Sequence, residues 1–194
     1  MRDPTIHPPA RPARADDALA ALKSLPGAGT PLLDVDLVCV ALPTWDGDYM
    51  KSTVHLVRAL AARHLAPGRQ ALYVDYAYTV KDAVQTLRGR QRAPLRRMLG
   101  RDDRLRRVDI RGSSGGDGRA VHVLTPPVTL PTNGLPAGPV YDAALALNGR
   151  VVGRAIRRAM ARLGMTRPLV LNAFHPFLGV PLAGQLDEVA LAYY

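Results

Sequence analysis

The sequence has little cysteine, few aromatic residues and no long apolar run. Its 194 residues contain one cysteine, Cys39, which lacks a second thiol for an internal disulfide and lies inside an apolar segment. Neither Cys39 nor the five histidines have the spacing of a metal site, so we expect no bound metal. No apolar run approaches the roughly 20 residues that span a bilayer, and the first residues lack the apolar core of a signal peptide. We therefore expect a cytoplasmic protein in which Cys39 is a buried core thiol.

Two common nucleotide-binding motifs are also absent, and one catalytic motif occurs only outside its usual structural context. The sequence has no GxxxxGKS/T, which argues against a P-loop nucleotide hydrolase. No GxGxxG follows the first apolar run, which argues against an ordinary dinucleotide-binding domain. The GxSxG match GSSGG, at residues 112–116, separates two predicted strands instead of joining a strand to a helix, so it does not indicate the nucleophile elbow of an α/β-hydrolase. We expect no cofactor.

The net charge of +10 is unevenly distributed. Residues 81–119 hold 12 basic and 5 acidic groups, and residues 150–167 hold six arginines and no acid. Clustered arginine favours a polyanionic partner, although a solvated face without any partner has the same composition. Nucleic acid is the weaker choice of partner, because only 5% of residues are aromatic and none interleaves with the arginines to stack on bases.

The order of apolar segments predicts an α/β domain. Residues 1–32 are rich in Pro, Ala and Arg and are expected to form a tail, which leaves 33–194 as the folded domain. The segments DLVCVALP and QALYVDYAY are continuous apolar runs typical of strands buried on both faces. Each precedes a helical pattern, STVHLVRALAARH and then TVKDAVQTLRGRQ, and this alternation indicates parallel strands joined by helices.

The rest of the chain extends this pattern after an interruption. RLRRVDIR and RAVHVLTP, separated by GSSGGDG, predict a hairpin excursion, and a long helix is expected over 139–163. PLVLNAF predicts a third buried strand, PFLGVPLAGQL a short helix and VALAYY a fourth buried strand, with an edge strand as the alternative for VALAYY. The predicted fold is a Rossmann-like, open, mostly parallel sheet with helices on both faces.

The helix over 139–163 has a basic face opposite an apolar one. Val152, Ile156, Ala159 and Leu163 share the apolar face. The basic face is predicted to meet an anionic membrane or another polyanion, and it consists of Arg150, Arg154, Arg157, Arg158 and Arg162.

The loop TWDGDYMKS follows the first predicted strand, where ligands bind in open α/β sheets. Aromatic rings beside carboxylates suit a sugar, whose C–H faces stack and whose hydroxyls donate hydrogen bonds. The predicted binding residues from this loop and from the ends of later strands are Trp45, Gly47, Tyr49, Lys51, Tyr76, Tyr78, Asn172 and Phe174. The candidate catalytic residues are Asp46, Asp48 and His175. Alternatives remain open: Trp45 as a hydrophobic plug, the two aspartates as helix caps and His175 as a structural histidine.

Four stretches carry a resemblance to a known family. LPTWDGDYMKSTVHLVRALA, ALYVDYAYTVKD, VLTPPVTLPTNGLP and LVLNAFHPFLGVPLAGQLDEVALAYY resemble the amino-terminal half of bacterial GT-B glycosyltransferases of the teichuronic acid biosynthesis and capsule type. The resemblance covers about residues 36–194. It implies a Rossmann-like acceptor-side domain, with a nucleotide-sugar donor held mainly by a second domain that this sequence lacks. We therefore expect the chain to be inactive alone.

The resemblance also implies a reaction and a location. Sugar would be transferred to a cell-surface polysaccharide or lipid-linked acceptor, with the protein peripheral at the inner face of the membrane. An inverting enzyme would need an acceptor-side base, for which Asp46, Asp48 and His175 are the candidates by position, whereas a retaining enzyme need not have one. The alternatives are a non-catalytic sugar- or membrane-binding module and, less favoured, a nucleic-acid-binding protein.

Overall fold

The structure is a computed structural model that describes residues 33–47, 51–110 and 119–194, with Lys51 described by its backbone alone. The predicted tail (1–32), the candidates Asp48 and Tyr49, and the glycine-rich loop of the predicted hairpin lie outside the described residues.

A mostly parallel sheet organises the described part of the chain. Its strands are β1 (Leu37–Ala41), β2 (Ala71–Val74), β3 (Leu105–Asp109), β4 (Ala120–Leu124), β5 (Leu169–Ala173) and β6 (Ala190–Tyr193). They lie in the order β3-β4-β2-β1-β5-β6, and the β3–β4 pair alone is antiparallel. The predicted fold class and the predicted hairpin pairing are confirmed.

Helices connect the strands as the sequence pattern indicated. They are α1 (Lys51–Arg63), α2 (Val80–Leu87), the short α3 (Leu95–Met98), α4 (Pro139–Leu163) and the short α5 (Gly179–Leu182). A capping box starts α2: the Thr79 hydroxyl accepts from the Asp82 N–H, and the Asp82 carboxylate accepts from the Thr79 N–H. None of the helices in the described ranges is long and apolar enough to cross a bilayer.

The two faces of the sheet have separate apolar cores. On one face, Val152 and Ile156 of α4 pack against alternate residues of β1 and β2. On the other face, Val57 of α1 packs against the remaining residues of those strands, including Cys39. The strands therefore read as continuous apolar runs because both faces are covered. Burial raises the pKa of the Cys39 thiol to about 12, as a buried core thiol requires.

The last strand differs from its expected environment. Among the strands of the described ranges, β6 borders β5 alone, and its first and last residues, Ala190 and Tyr193, are exposed. The prediction of a fourth buried strand is wrong, and the edge-strand alternative is correct. An apolar run does not distinguish the two cases, because an edge strand packs apolar side chains while leaving part of its surface open.

Strand order locates the position where a ligand is expected. From the central β1, the chain moves to β2 and β4 on one side and later to β5 and β6 on the other. The carboxyl ends of β1 and β5 therefore meet where the direction of winding reverses, and that is the usual ligand crevice of an open α/β sheet.

Candidate functional site

The loop after β1 is anchored to the end of β2 and packs its tryptophan inward. The Trp45 N–H donates to Asp75 Oδ1 at 2.7 Å, and the Tyr73 hydroxyl donates to the Pro43 carbonyl at 2.8 Å. The Trp45 ring is 8% exposed, with Tyr73 edge-on at 5.1 Å and the Arg58 guanidinium 5.6 Å from its centre. Trp45 is therefore a core plug, and its ring offers a sugar almost no free face.

Asp46 points towards β3. Its carboxylate forms an ion pair with Arg106 of β3 at 2.6 Å, and its side chain is 70% exposed. Gly47 closes a turn by donating to the Thr44 carbonyl at 3.1 Å. The remaining loop candidates, Asp48, Tyr49 and the side chain of Lys51, lie outside the described part of the chain.

Asp75, at the end of β2, is a buried carboxyl group that the sequence reasoning missed. Its side chain is 7% exposed, and desolvation raises its pKa to about 6. The Trp45 N–H and the positive charge of Arg106 act in the opposite direction and moderate the rise. Asp75 thus has a protein hydrogen-bond partner despite its burial.

The two predicted tyrosines follow Asp75 and pack on each other. The Tyr76 and Tyr78 rings meet edge to face at 5.1 Å. Tyr78 is buried, which raises its pKa to about 12, whereas Tyr76 is half-buried and lines a cavity. Only Tyr76 is therefore available to a ligand there.

That cavity, which we call the central pocket, has a volume of about 260 Å³. One wall is the segment 129–133, which runs beside the end of β2: Val80 N–H donates to the Thr129 carbonyl, and Thr129 N–H to the Tyr78 carbonyl, both at 2.9 Å. The Asn148 carboxamide of α4 holds Leu130 through two hydrogen bonds of 2.8 and 2.9 Å. The pocket is thus built from six parts of the chain: the ends of β1, β2 and β5, segment 129–133, α2 and Asn148 of α4.

The lining of the central pocket is mainly polar. Besides Tyr76 it includes Thr79, Lys81, Asp82, Gln85, Thr132, Asn133 and His175. Hydroxyl, amide, carboxylate and ammonium groups together supply donors and acceptors in the mixture that a polyhydroxylated ligand needs.

A second cavity, which we call the edge pocket, lies at the ends of β5 and β6. Its volume is about 250 Å³, and its lining includes Asn172, Phe174, His175, Gly179, Tyr193 and Tyr194. Phe174 has a backbone φ of 57°, which a bulky residue rarely adopts, and its ring lies 5.4 Å from that of Tyr194. The left-handed backbone conformation of Phe174 turns the chain sharply between β5 and His175.

His175 belongs to the lining of both pockets. It is 5% exposed, and neither ring nitrogen has a hydrogen-bond partner. Two effects act on the pKa of its imidazole: desolvation lowers it, and the residue's own backbone opposes this change. Desolvation lowers the pKa of the imidazole to about 4. At neutral pH the ring is therefore uncharged, with one nitrogen able to donate and the other able to accept.

Asn172 adds a third unpartnered atom beside His175. Its Nδ2 donates to the His175 carbonyl at 3.2 Å, while its Oδ1 is buried without a partner. Among the described residues, six buried side-chain polar atoms lack a partner, and half of them belong to Asn172 and His175. Because buried polar groups are nearly always hydrogen-bonded, this concentration indicates a place where a ligand completes the bonding.

The structure divides the five predicted surface arginines. Arg150 is exposed, and Arg157 donates to the Gln185 carbonyl at 2.9 Å. The other three, Arg154, Arg158 and Arg162, line a separate groove beside β3 and β4. The basic face predicted from the helical pattern is therefore not one uniform surface.

The sequence reasoning missed several residues, and some of them had a usable signal. Asp75 directly follows β2, so the rule that selected Tyr76 and Tyr78 applies equally to it. The T-x-x-D spacing of Thr79 and Asp82 is close to a capping-box signature. Asn148 and segment 129–133 had no local signal, because their role depends on contacts 18 or more residues apart.

No cluster of three or more metal-ligating side chains occurs in the described ranges. Comparisons of the chain with protein-family models, with curated proteins and with solved structures each found no match.

Proposed function

We propose that this domain is the acceptor-side domain of a glycosyltransferase, which transfers sugar from a nucleotide-sugar to a cell-surface polysaccharide or lipid-linked acceptor. The observation that supports this most strongly is His175: a buried, neutral imidazole with two free nitrogens, between two pockets at the switch point of a Rossmann-like sheet. The mainly polar lining of the central pocket suits a sugar.

In the proposed reaction, an acceptor hydroxyl attacks the anomeric carbon of the donor sugar. A C–O bond forms there, and the bond to the nucleoside diphosphate breaks, so the leaving group departs with the electron pair. In an inverting transfer the hydroxyl proton passes to an acceptor-side base. A retaining transfer does not need this base, and in that case His175 would orient the hydroxyl without taking its proton.

His175 is the base that we favour among the three sequence candidates. A pKa of about 4 makes the imidazole a weak base in the unliganded domain, so its first contribution is to hold and orient the hydroxyl. Negative charge on a bound donor diphosphate would stabilise the imidazolium and raise the pKa towards a useful range. Asp46 is less suitable, because its carboxylate already accepts from Arg106 and it lines neither pocket.

The low pKa of His175 also supports a second candidate, a non-catalytic sugar-binding module. A neutral imidazole and a carboxamide can bind hydroxyls without any proton transfer. This candidate predicts glycan binding that is indifferent to nucleotide-sugars.

We further propose contact with an anionic membrane surface, through α2. This helix has no buried residue, and its apolar face exposes Val80, Val84 and Leu87 by 46%, 39% and 77%. Lys81 and Arg88 lie beside that face, and apolar side chains flanked by cations are typical of helices that rest on anionic lipid. Vesicle sedimentation tests the contact: replacing Val84 and Leu87 by Ser should reduce binding to phosphatidylglycerol vesicles, and unchanged binding would contradict it.

The reaction is tested with the complete coding frame that contains this chain. The native protein should release nucleoside diphosphate from one member of a nucleotide-sugar panel when acceptor is present. His175→Gln should lower kcat by about 10² or more if His175 is the base, whereas the control His55→Gln, at an exposed histidine of α1, should leave it unchanged. If glycan binds but no nucleotide-sugar turns over, the binding-module candidate replaces the enzyme.

A further inference from the structure

A groove separate from both pockets lies between α4 and residues 100–105. Its volume is about 580 Å³, and none of its lining residues lines the central or the edge pocket. We call it the arginine groove. Its apolar part is formed by Leu105, Leu124, Pro127, Val151 and Ala155, and its charged part by five arginines and two aspartates.

The two aspartates of the arginine groove are already engaged. Asp102 accepts from Arg96, which is not a lining residue, at 3.0 Å. Asp103 receives two hydrogen bonds from Arg162, at 3.0 and 2.8 Å. The groove lining therefore has more arginines than aspartates, and both carboxylates are already bound to an arginine. The lining keeps an excess of positive charge.

Arg104 is held in place at the end of the groove. Its guanidinium donates to the Arg97 and Met98 carbonyls, each at 3.0 Å, so it adds positive charge at a fixed position. Gly100 lies directly against that guanidinium, since a Cβ there would be 3.0 Å from Arg104 Nη2. The positive charge of Arg104 is thus placed by contacts within the segment 97–104.

Three arginines of the groove have no side-chain hydrogen bond or ion pair with another described residue: Arg101 and, on α4, Arg154 and Arg158. Arg154 and Arg158 form a pair. They lie one turn apart on the same face of α4, both are exposed, and no hydrogen bond or ion pair joins either to the other described residues. Like charges at this spacing repel and destabilise a helix. An anion between the two guanidinium groups would remove that repulsion.

We propose that the arginine groove binds a phosphate group carried on a small apolar or aromatic moiety. Guanidinium groups bind phosphate oxygens in bidentate pairs, and Arg154 and Arg158 present two of them side by side. The neighbouring apolar wall would take the remainder of the ligand. This site is independent of the proposed sugar site, because the two share no residue.

Calorimetric titration of the native chain with phenyl phosphate, at low salt, tests the proposal. Arg154→Gln and Arg158→Gln should each weaken binding at least about tenfold, the loss expected for a hydrogen-bonded charge pair. Arg150→Gln is the matched control, because Arg150 is exposed on the same helix but does not line the groove, and it should change binding less than about twofold. All these side chains are exposed, so the variants should fold, which thermal melting checks.

Competition experiments identify the source of the phosphate, and several results would contradict the proposed site. If phosphatidylglycerol vesicles displace phenyl phosphate, and both groove variants lose vesicle binding, the phosphate is a lipid headgroup; if vesicles have no effect, it belongs to a soluble molecule. The proposal fails if the native chain does not bind phenyl phosphate or if Arg150→Gln weakens binding as much as the groove variants. It fails equally if inorganic phosphate binds as tightly as phenyl phosphate, since the apolar wall would then contribute nothing.

Discussion

The two ends of the parallel strands bury polar side chains in opposite ways. We call the side where these strands begin the amino edge of the sheet, and the side where they end the carboxyl edge. At the amino edge, Asp36 is 3% exposed, and its carboxylate accepts from the Gln70 N–H at 2.8 Å and from the Thr166 N–H at 3.0 Å. At the carboxyl edge, His175 and Asn172 are equally buried, yet three of their side-chain atoms have no partner.

The difference separates structure from function. Asp36 links the start of β1 to the segments that lead into β2 and β5, so its hydrogen bonds hold the sheet together. The unpartnered atoms of His175 and Asn172 form no such hydrogen bonds, and their burial lowers the stability of the domain in the absence of a ligand. We therefore expect substitutions at the amino edge to affect folding, and substitutions at the carboxyl edge to affect binding.

The largest effect is expected at Asp36. Asp36→Ala leaves two backbone N–H groups without their acceptor and should lower the free energy of unfolding by about 2–4 kcal/mol. Asp34→Ala is the control: its partner is Arg69, its side chain is 81% exposed, and its loss should cost less than about 1 kcal/mol. Urea unfolding measures both, and equal losses would remove the structural role assigned to Asp36.

A smaller loss is expected at Gly179, which lets α5 approach the carboxyl edge. A Cβ at this position would overlap the Asn172 amide and lie 3.0 Å from the Tyr193 ring, so Gly179→Ala should cost about 1–3 kcal/mol. Gly47→Ala is the comparison, because there the nearest obstacle is the Thr44 hydroxyl, which can rotate away. If thermal unfolding showed Gly47→Ala to be the more damaging change, the tight packing assigned to Gly179 would be wrong.

The pH dependence of stability should reveal two opposing titrations. Between pH 4 and 6.5, His175 binds fewer protons in the folded state than in the unfolded state, because its folded pKa is about 4 and the usual value is 6.5. The stability that the neutral imidazole contributes is therefore fully present above pH 6.5 and is lost as the pH falls. Folded Asp75, with a pKa of about 6, binds more protons than the unfolded chain, so its contribution is present below 3.8 and is lost as the pH rises.

Removing one of the two groups should leave the pH dependence of stability that is due to the other. Asp75→Asn should leave a stability that rises between pH 4 and 6, and His175→Leu one that falls, each by up to about 1.4 kcal/mol per pH unit. Urea unfolding at four pH values across this window measures the slopes. Two variants with the same slope would show that burial does not shift these groups in opposite directions.

The smallest change in stability is expected for His175→Leu at pH 7. Removing two unpartnered nitrogens from a buried site should leave the unfolding free energy unchanged or raise it by up to about 1 kcal/mol, while any sugar binding is lost. A loss above about 2 kcal/mol would mean that the imidazole is a structural histidine with partners of its own.

The sequence predicted the fold better than it predicted the site. The continuous apolar runs of β1 and β2 and the apolar stripe of α1 are local patterns, so these elements followed directly from residue order. The environment of β6 did not follow, because edge and interior strands can have the same apolar sequence.

At the site, the sequence identified positions but not surroundings. His175, Asn172 and Tyr76 were selected because they lie at the ends of predicted strands, and they do line the pockets. Trp45 was selected by the same rule, yet its ring packs against Tyr73 and Arg58, contacts that no local pattern encodes. The unpartnered state of His175 likewise depends on packing among distant segments.

The central claim is that the free nitrogens of His175 mark a site for sugar hydroxyls. The most direct measurement is a ¹H–¹⁵N spectrum of histidine-labelled native chain, titrated with a panel of neutral hexoses, N-acetylhexosamines and their oligosaccharides, with His175 assigned through His175→Gln. We predict that at least one saccharide shifts the ring nitrogens of His175 and leaves those of His55 unmoved. A saccharide that binds without moving the His175 nitrogens, or a panel without any binder, would contradict the account.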